Sequence, residues 1–472
     1  MKLIMFMGGV ETLEYFSMEI ARYLEEKGYE IFWYNLLVGA SEVSRLKGFF
    51  DANKSEDFIA FTFNHEGIAG EEGLYFLDSE SVKNTETECG KADCKDNAFG
   101  QADCKDNAFG QEDYKNYSCG QADCKDSLNS PKLASTTKLT NIWDNYDVKV
   151  INMVVDHPLY YHKYHNYLPK NYHQINIDKN HFEYMRHFYP EIKNVSFLMT
   201  AGMELNKDRD ILPDRPYLFM DERKYDIVFT GNFTPKYILQ KSIEKMGQDY
   251  IDFYESVLTR MIKEPRETIE KIGQEALIKE IEGITEAEIR EAMQTMSYVD
   301  LAVRFHYREL MIRALTDLGF KLTVVGEGFE YMKLKHPENL NMLGSGNTKK
   351  CLDSISQAKI SLNVMPWFKA GAHDRIFTSM LNGAVLLTDS STFLDKKILT
   401  EKNCIRYSLE LLRDYEASGF DLGLIEDFGA KLRNLLEDKE KLSKMANSAY
   451  IFAKNGHTWE DRAKIIEKLF FT

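Results

Sequence analysis

Short apolar runs alternate with amphipathic stretches along most of this chain. Lys2–Met7 reads as a strand ending on Gly8-Gly9. Over 11–27, Leu13, Phe16, Ile20, Ala21 and Leu24 recur at helical spacing, and Gly28 closes the helix. Further strands are predicted at 30–36, Phe58–Phe63, 148–155, 174–177 and 195–199, with a helix running to Tyr189. A second alternating block begins at Tyr225–Thr230 and continues through 321–325, 341–343, 360–364 and 384–388. Between its first two strands lies a long helical region, 237–318, broken at Pro265 and Gly283. Amphipathic helices over 426–454 and 458–470 end the pattern. The alternation predicts an α/β fold of two Rossmann-like doubly wound domains, near 1–222 and 223–455. The connection at 208–224 holds Pro213 and Pro216.

One stretch breaks the pattern. Gly90, Gly100, Gly110 and Gly120 recur every ten residues in the unit Gly-Lys/Gln-Ala-Asp-Cys-Lys-Asp-Asn-Ala-Phe. The unit has no branched aliphatic residue and cannot bury a face alone, so 82–138 is expected to be a disordered, low-complexity insertion. Five of the seven cysteines fall in it, and those of the Asp-Cys-Lys-Asp repeats, such as Cys94 and Cys104, are spaced by the ten-residue repeat rather than in the close pairs of zinc sites. Cys351 and Cys404 remain for the folded part, which fits a reducing, cytoplasmic setting.

Composition narrows the function classes. Lysine plus arginine is 59 against 74 acidic residues, a formal charge of −15 that argues against a general nucleic-acid binder. It leaves room for a local basic pocket. No run approaches ~18 apolar residues, so no transmembrane segment is expected, and the short apolar start reads as a strand rather than a signal peptide.

The most informative segment is 366–389, Pro-Trp-Phe-Lys-Ala-Gly-Ala-His-Asp-Arg-Ile-Phe-Thr-Ser-Met-Leu-Asn-Gly-Ala-Val-Leu-Leu-Thr-Asp. A strand ends in this loop, Asp374 is placed to cap a helix over 375–381, and Gly383 stops it. A strand-to-helix loop of this kind is where α/β sheets bind phosphates. Lys369, His373 and Arg375 add positive charge there.

This segment resembles the group 1 glycosyltransferases of the GT-B fold, and within them the branch related to spore-maturation glycosyltransferases. Gly371, Arg375, Phe377, Gly383 and Asp389 match its motif, while Thr378 stands where the family carries the Glu that usually holds the donor ribose. The resemblance extends to 227–232, which ends on Gly231 and Asn232, and to 324–328 with Gly326. It implies two domains facing a cleft, with the last helix, 456–472, crossing back to the first domain. It further implies a nucleotide-sugar donor, uridine-linked, bound by the second half, and no cofactor or essential metal. Asn232 occupies a position where many relatives place Arg, so Arg304 and Arg308, one helical turn apart, are candidates to supply the charge.

On the acceptor side, Gly8 and Gly9 allow close backbone approach to a ligand, and Glu11 follows as a candidate base. Asp156-His157 sits at the end of a hydrophobic strand and is the stronger candidate for general-base work. Tyr160, Tyr161 and Tyr164 could line a sugar-binding wall. His157, His162 and His165 match no common zinc spacing. The expected function is transfer of a sugar to an acceptor hydroxyl on a protein, glycan or cell-surface polymer. The alternatives are a non-catalytic sugar- or partner-binding relative and a sugar-nucleotide epimerase.

Overall fold

The computed structural model of the chain describes residues 1–77 and 139–471, so the decapeptide insertion lies outside the described residues. Two six-stranded parallel sheets carry the fold. The first contains β1 (Lys2–Met7), β2 (Glu30–Asn35), β3 (Phe58–Phe63), β6 (Lys149–Val154), β7 (Tyr172–Asn176) and β8 (Val195–Phe197). A separate antiparallel pair, β4 (Tyr75–Leu77) and β5 (Leu139–Asn141), flanks the insertion. The second sheet contains β9 (Tyr225–Thr230), β10 (Leu322–Val325), β11 (Leu340–Met342), β12 (Ala358–Asn363), β13 (Val385–Thr388) and β14 (Cys404–Arg406).

Strand order differs between the sheets. The first runs β2-β1-β3-β6-β7-β8, the flavodoxin-like order, and the second runs β11-β10-β9-β12-β13-β14, the Rossmann order. Strands such as β3, buried along its whole length, read as continuous apolar runs because helices cover both faces of a parallel sheet.

The helical region between β9 and β10 folds as Gln248–Lys263, Ile269–Glu280, Glu286–Met293 and Ser297–Asp317, with two short helices before them. Pro265 follows the first, and Thr268 and Thr285 cap the next two. The predicted 426–454 helix is two helices, Glu426–Glu437 and Lys439–Lys454, because the Asp438 carboxylate accepts the Lys441 N–H at 2.9 Å and starts a new helix.

The last helix, Trp459–Phe470, packs on Glu11–Glu26 of the first half. The rings of Phe16 and Trp459 lie 4.3 Å apart, and Tyr23 donates to Glu467 at 2.7 Å. One apolar cluster runs through both halves, joining Met5, Phe16 and Ile175 to Trp367, Phe377 and Trp459. No helix among the described residues is long and apolar enough to cross a membrane.

Candidate active site

The two sheets meet at a cleft of about 1070 Å³ lined by residues of both halves. The loops after β1, β3 and β6 form one wall, and those after β9, β10 and β12 form the other. In the second sheet, strand order reverses between β9 and β12, the crevice where open α/β sheets take ligands.

On the second-half wall the turns after β9 and β10 are locked together. Gly231 donates to the Val325 carbonyl at 2.9 Å, and a Cβ on Gly326 would overlap the Gly231 carbonyl. Both glycines hold positive φ, 140° and 148°. Asn232 Oδ1 accepts the Glu327 N–H at 2.9 Å, so Asn232 braces this pair of turns.

Two guanidiniums flank the Phe229 ring, Arg308 at 5.1 Å and Arg375 at 5.2 Å from its centroid. Arg308 donates to the Asn232 carbonyl. Arg375 donates from Nε to Thr230 Oγ1 and from Nη1 to Asn363 Oδ1, each at 3.1 Å. A Cβ on Gly231 would come within 3.3 Å of Arg375 Nη2, so glycine leaves that side of the guanidinium uncovered. Burial lowers the Arg375 pKa, and the neighbouring Asp374 opposes the shift. Arg304 pairs with Asp300 at 3.0 Å and lies 4.1 Å over the Trp367 ring.

The helix Asp374–Leu381 begins one residue earlier than expected, and its cap is His373 rather than Asp374. His373 Nδ1 accepts the Arg375 N–H at 3.2 Å. Burial, with Arg375, Arg304 and Arg308 nearby, holds the His373 pKa well below its usual value, so it is a neutral acceptor here and not a source of charge. Asp374 is thereby free to line the cleft. Burial pushes its pKa up to about 6, with Arg375 opposing and Asp156, from the other half, adding to the rise.

On the first-half wall, the loop after β3 passes through Asn64 and His65, both left-handed, at φ 46° and 66°. Such strain at non-glycine residues clusters at functional sites. Asn64 Oδ1 accepts the Val155 N–H at 2.9 Å, and its Nδ2 donates to Asp156 Oδ2 at 3.1 Å. Tyr161 donates to the same oxygen at 3.3 Å. The Asp156 carboxylate is therefore held on the cleft by two side chains of the first half, Asn64 and Tyr161. Glu66 accepts the Val10 N–H at 2.7 Å, and a Cβ on Gly9 would overlap its carboxylate, so Gly9 makes room for Glu66. Glu11 also lines the cleft and accepts the Thr348 N–H of the other half at 3.3 Å.

Five expected site residues have other roles. His157 does not face the cleft: it is 2% exposed, its Nδ1 accepts the Leu159 N–H at 3.0 Å, and its Nε2 lies 3.1 Å from Glu270. The two neighbours point to different sides, Asp156 to the cleft and His157 to Glu270. Lys369 donates to the Pro265 carbonyl, away from the cleft. Asp389 is 1% exposed and accepts the Met365 N–H at 3.0 Å, which fixes the loop after β12. Thr378 touches the cleft, but its hydroxyl accepts the Met203 N–H at 3.2 Å and so ties the two halves together. Gly8 donates to Glu14 at 2.8 Å and lies behind Gly9, off the cleft.

His157, His181 and Glu270 bring their nitrogens and a carboxylate oxygen within 4.8 Å of one another. The set does not suit a cation. Because His157 Nδ1 accepts a backbone N–H, its proton sits on Nε2 and is directed at Glu270, so no lone pair is available there.

The loop 64–71 and the start of the helix Thr348–Ser356 were not foreseen as site elements. The available signals were Asn-His-Glu-Gly directly after an apolar strand, and Asn347 as a helix cap.

Residues 308–468 match the family model described as glycosyl transferase-like. No curated protein sequence matches the chain. Among solved structures, TarM aligns at 13% identity over 68% of this chain and 55% of its own length, with a TM-score of 0.32. The chain thus spans little more than half of TarM. Sucrose-phosphate synthase from Thermosynechococcus elongatus aligns at 8% identity over 100% of this chain and 98% of its own, with a TM-score of 0.45. Anabaena HepE in complex with UDP aligns at 8% identity over 100% of both chains, with a TM-score of 0.42. At scores below 0.5 these likenesses carry no argument about substrate.

Proposed function

We propose that this chain, glycosyl transferase-like over its second half, moves a sugar from a uridine-linked nucleotide-sugar donor to an acceptor hydroxyl in the cleft. The observation that carries the reading is the opposition of two walls. Arg308 and Arg375 flank Phe229 at the switch point of the second sheet, and Asp156 is held facing them from the first half.

Each wall suits one part of the reaction. The guanidiniums bind the donor diphosphate and stabilise the charge that grows on it as the bond to the anomeric carbon breaks. The acceptor oxygen forms the new bond to that carbon, and Asp156 takes the proton the hydroxyl loses. Arg375 is held in place by Thr230 and Asn363, which lowers the cost of fixing its fork on phosphate. In this reading two fixed guanidiniums do the work a divalent cation does elsewhere, and no metal is required.

The test is release of UDP from UDP-glucose and other UDP-sugars by the full chain, with and without glycoside acceptors. Acceptor-dependent release is expected. Interconversion of donors without an acceptor would instead identify an epimerase. Tight donor binding with neither release nor interconversion would identify a non-catalytic relative.

A further inference from the structure

The first-half wall carries its own chemistry, distinct from that of the donor wall. Its side chains on the cleft include the carboxylates Glu11, Glu66, Glu71 and Asp156, and among the described residues of this half that line the cleft there is no Lys or Arg. The opposite wall presents Arg304, Arg308, Lys350 and Arg375 against one carboxylate among the described residues, Asp374. The cleft is thus polarised across its width.

An aromatic platform lies within the acidic wall. The His65 ring stacks on Tyr161, with centroids 5.1 Å apart and planes at 29°, and lies 5.8 Å from Tyr164. His65 lines the cleft and is 0% exposed, and neither of its ring nitrogens has a hydrogen-bond partner. Unpaired buried polar groups are costly, and one at a cleft, on strained backbone, marks a place where a ligand supplies the missing partner. Glu71 folds the loop around this platform by accepting the Gly67 and Ala69 N–H groups at 2.7 and 2.8 Å.

We infer that this wall is an acceptor subsite for a sugar ring without an anionic substituent. The ring's apolar face lies on Tyr161 and Tyr164, its hydroxyls meet Asp156 and His65, and a carboxylate or phosphate on the ring is repelled by the four acidic residues. Stacking on rigid aromatic rings provides contact area at low entropic cost, and like charge at short range provides rejection. The inference rests on the transfer reading and names the substrate class of the half that the donor does not use.

The test is a binding measurement on the full chain with UDP present. Saturation-transfer NMR and competition would compare methyl β-glucopyranoside with its 2-amino-2-deoxy and glucuronide counterparts, which share one ring and differ in charge. The neutral and amino rings should bind at least about tenfold more tightly than the glucuronide. Tyr161→Ala and Tyr164→Ala should abolish ring binding, and the double variant Glu66→Gln, Glu71→Gln should narrow the glucoside-to-glucuronide ratio several-fold. Equal or tighter glucuronide binding, an unchanged ratio in the double variant, or no ring binding at all would overturn the inference. Rings that bind and discriminate while UDP does not bind would refute the transfer reading and leave the subsite standing.

Discussion

Replacing Arg375 with Ala separates phosphate recognition from everything else the second-half wall does. The guanidinium makes two hydrogen bonds within the protein, to Thr230 and Asn363, and leaves its Nη2 side open at the Gly231 turn. A hydrogen bond to a charged partner is worth about 1.5–3 kcal/mol, so loss of one phosphate contact weakens UDP binding roughly 10- to 150-fold. Uridine, which brings no phosphate, should lose less than about threefold. The substitution also strands the Thr230 hydroxyl and the Asn363 carbonyl oxygen, at about 1–3 kcal/mol for a buried unpaired group, so the melting temperature falls as well. Titration calorimetry with UDP and uridine at 25 °C, on protein shown folded by circular dichroism, reads the two effects apart. Arg375→Lys should recover part of the UDP affinity, as a point charge without the planar fork. Equal losses for UDP and uridine would mean that Arg375 positions the wall without touching phosphate.

The other expectations follow from neighbouring residues. Asp156→Asn should lower turnover about 10²–10⁴-fold with UDP affinity unchanged, whereas His157→Ala should leave donor binding at 25 °C and lower the melting temperature, by stranding Glu270 at a cost of about 1–3 kcal/mol; matched turnover losses in both would restore His157 to the chemistry. Burial pushes the Asp389 pKa up to about 7, with the Met365 N–H and Lys369 opposing. A carboxylate whose folded pKa lies above its unfolded value holds its proton more tightly when folded, so its contribution to stability is fullest below about pH 4 and is lost as pH rises through about 7. Asp389→Asn keeps an acceptor for Met365 and should melt higher than the parent at pH 8, the gap closing by pH 4; a gap independent of pH would contradict this. Deleting 90–128 should preserve both the melting transition and UDP affinity, because the repeat unit has no branched aliphatic residue and too few apolar positions to bury a face alone.

The parts of this architecture legible in the sequence are those where burial dictates composition. β1, β3 and β9 carry apolar residues through their buried positions because both faces of their sheets are covered, and their limits are as the pattern predicts. The second-half loops on the cleft were legible because Gly231, Gly326 and Arg375 each mark a turn or a helix start. Side-chain direction was not legible at the end of β6. Asp156 and His157 are both polar and adjacent, and only the folded path of the chain, which sends one to the cleft and the other toward Glu270, separates them. Lys369 and Asp389 lie in the right segment, but their partners, Pro265 and Met365, are brought near only by the folded loop. The place of the loop 64–71 on the cleft is not legible because it depends on a left-handed Asn64-His65 pair, which the residue types permit without announcing.

The central claim is that the second half holds the nucleotide and the first half the acceptor. Its most direct test is a crystal structure of the full chain soaked with UDP. Density for the diphosphate is expected against Arg308 and Arg375, beside Gly231 and Gly326, with none on the first-half wall. Diphosphate density beside Gly9 and Glu66 instead would reverse the roles of the two halves and contradict the account.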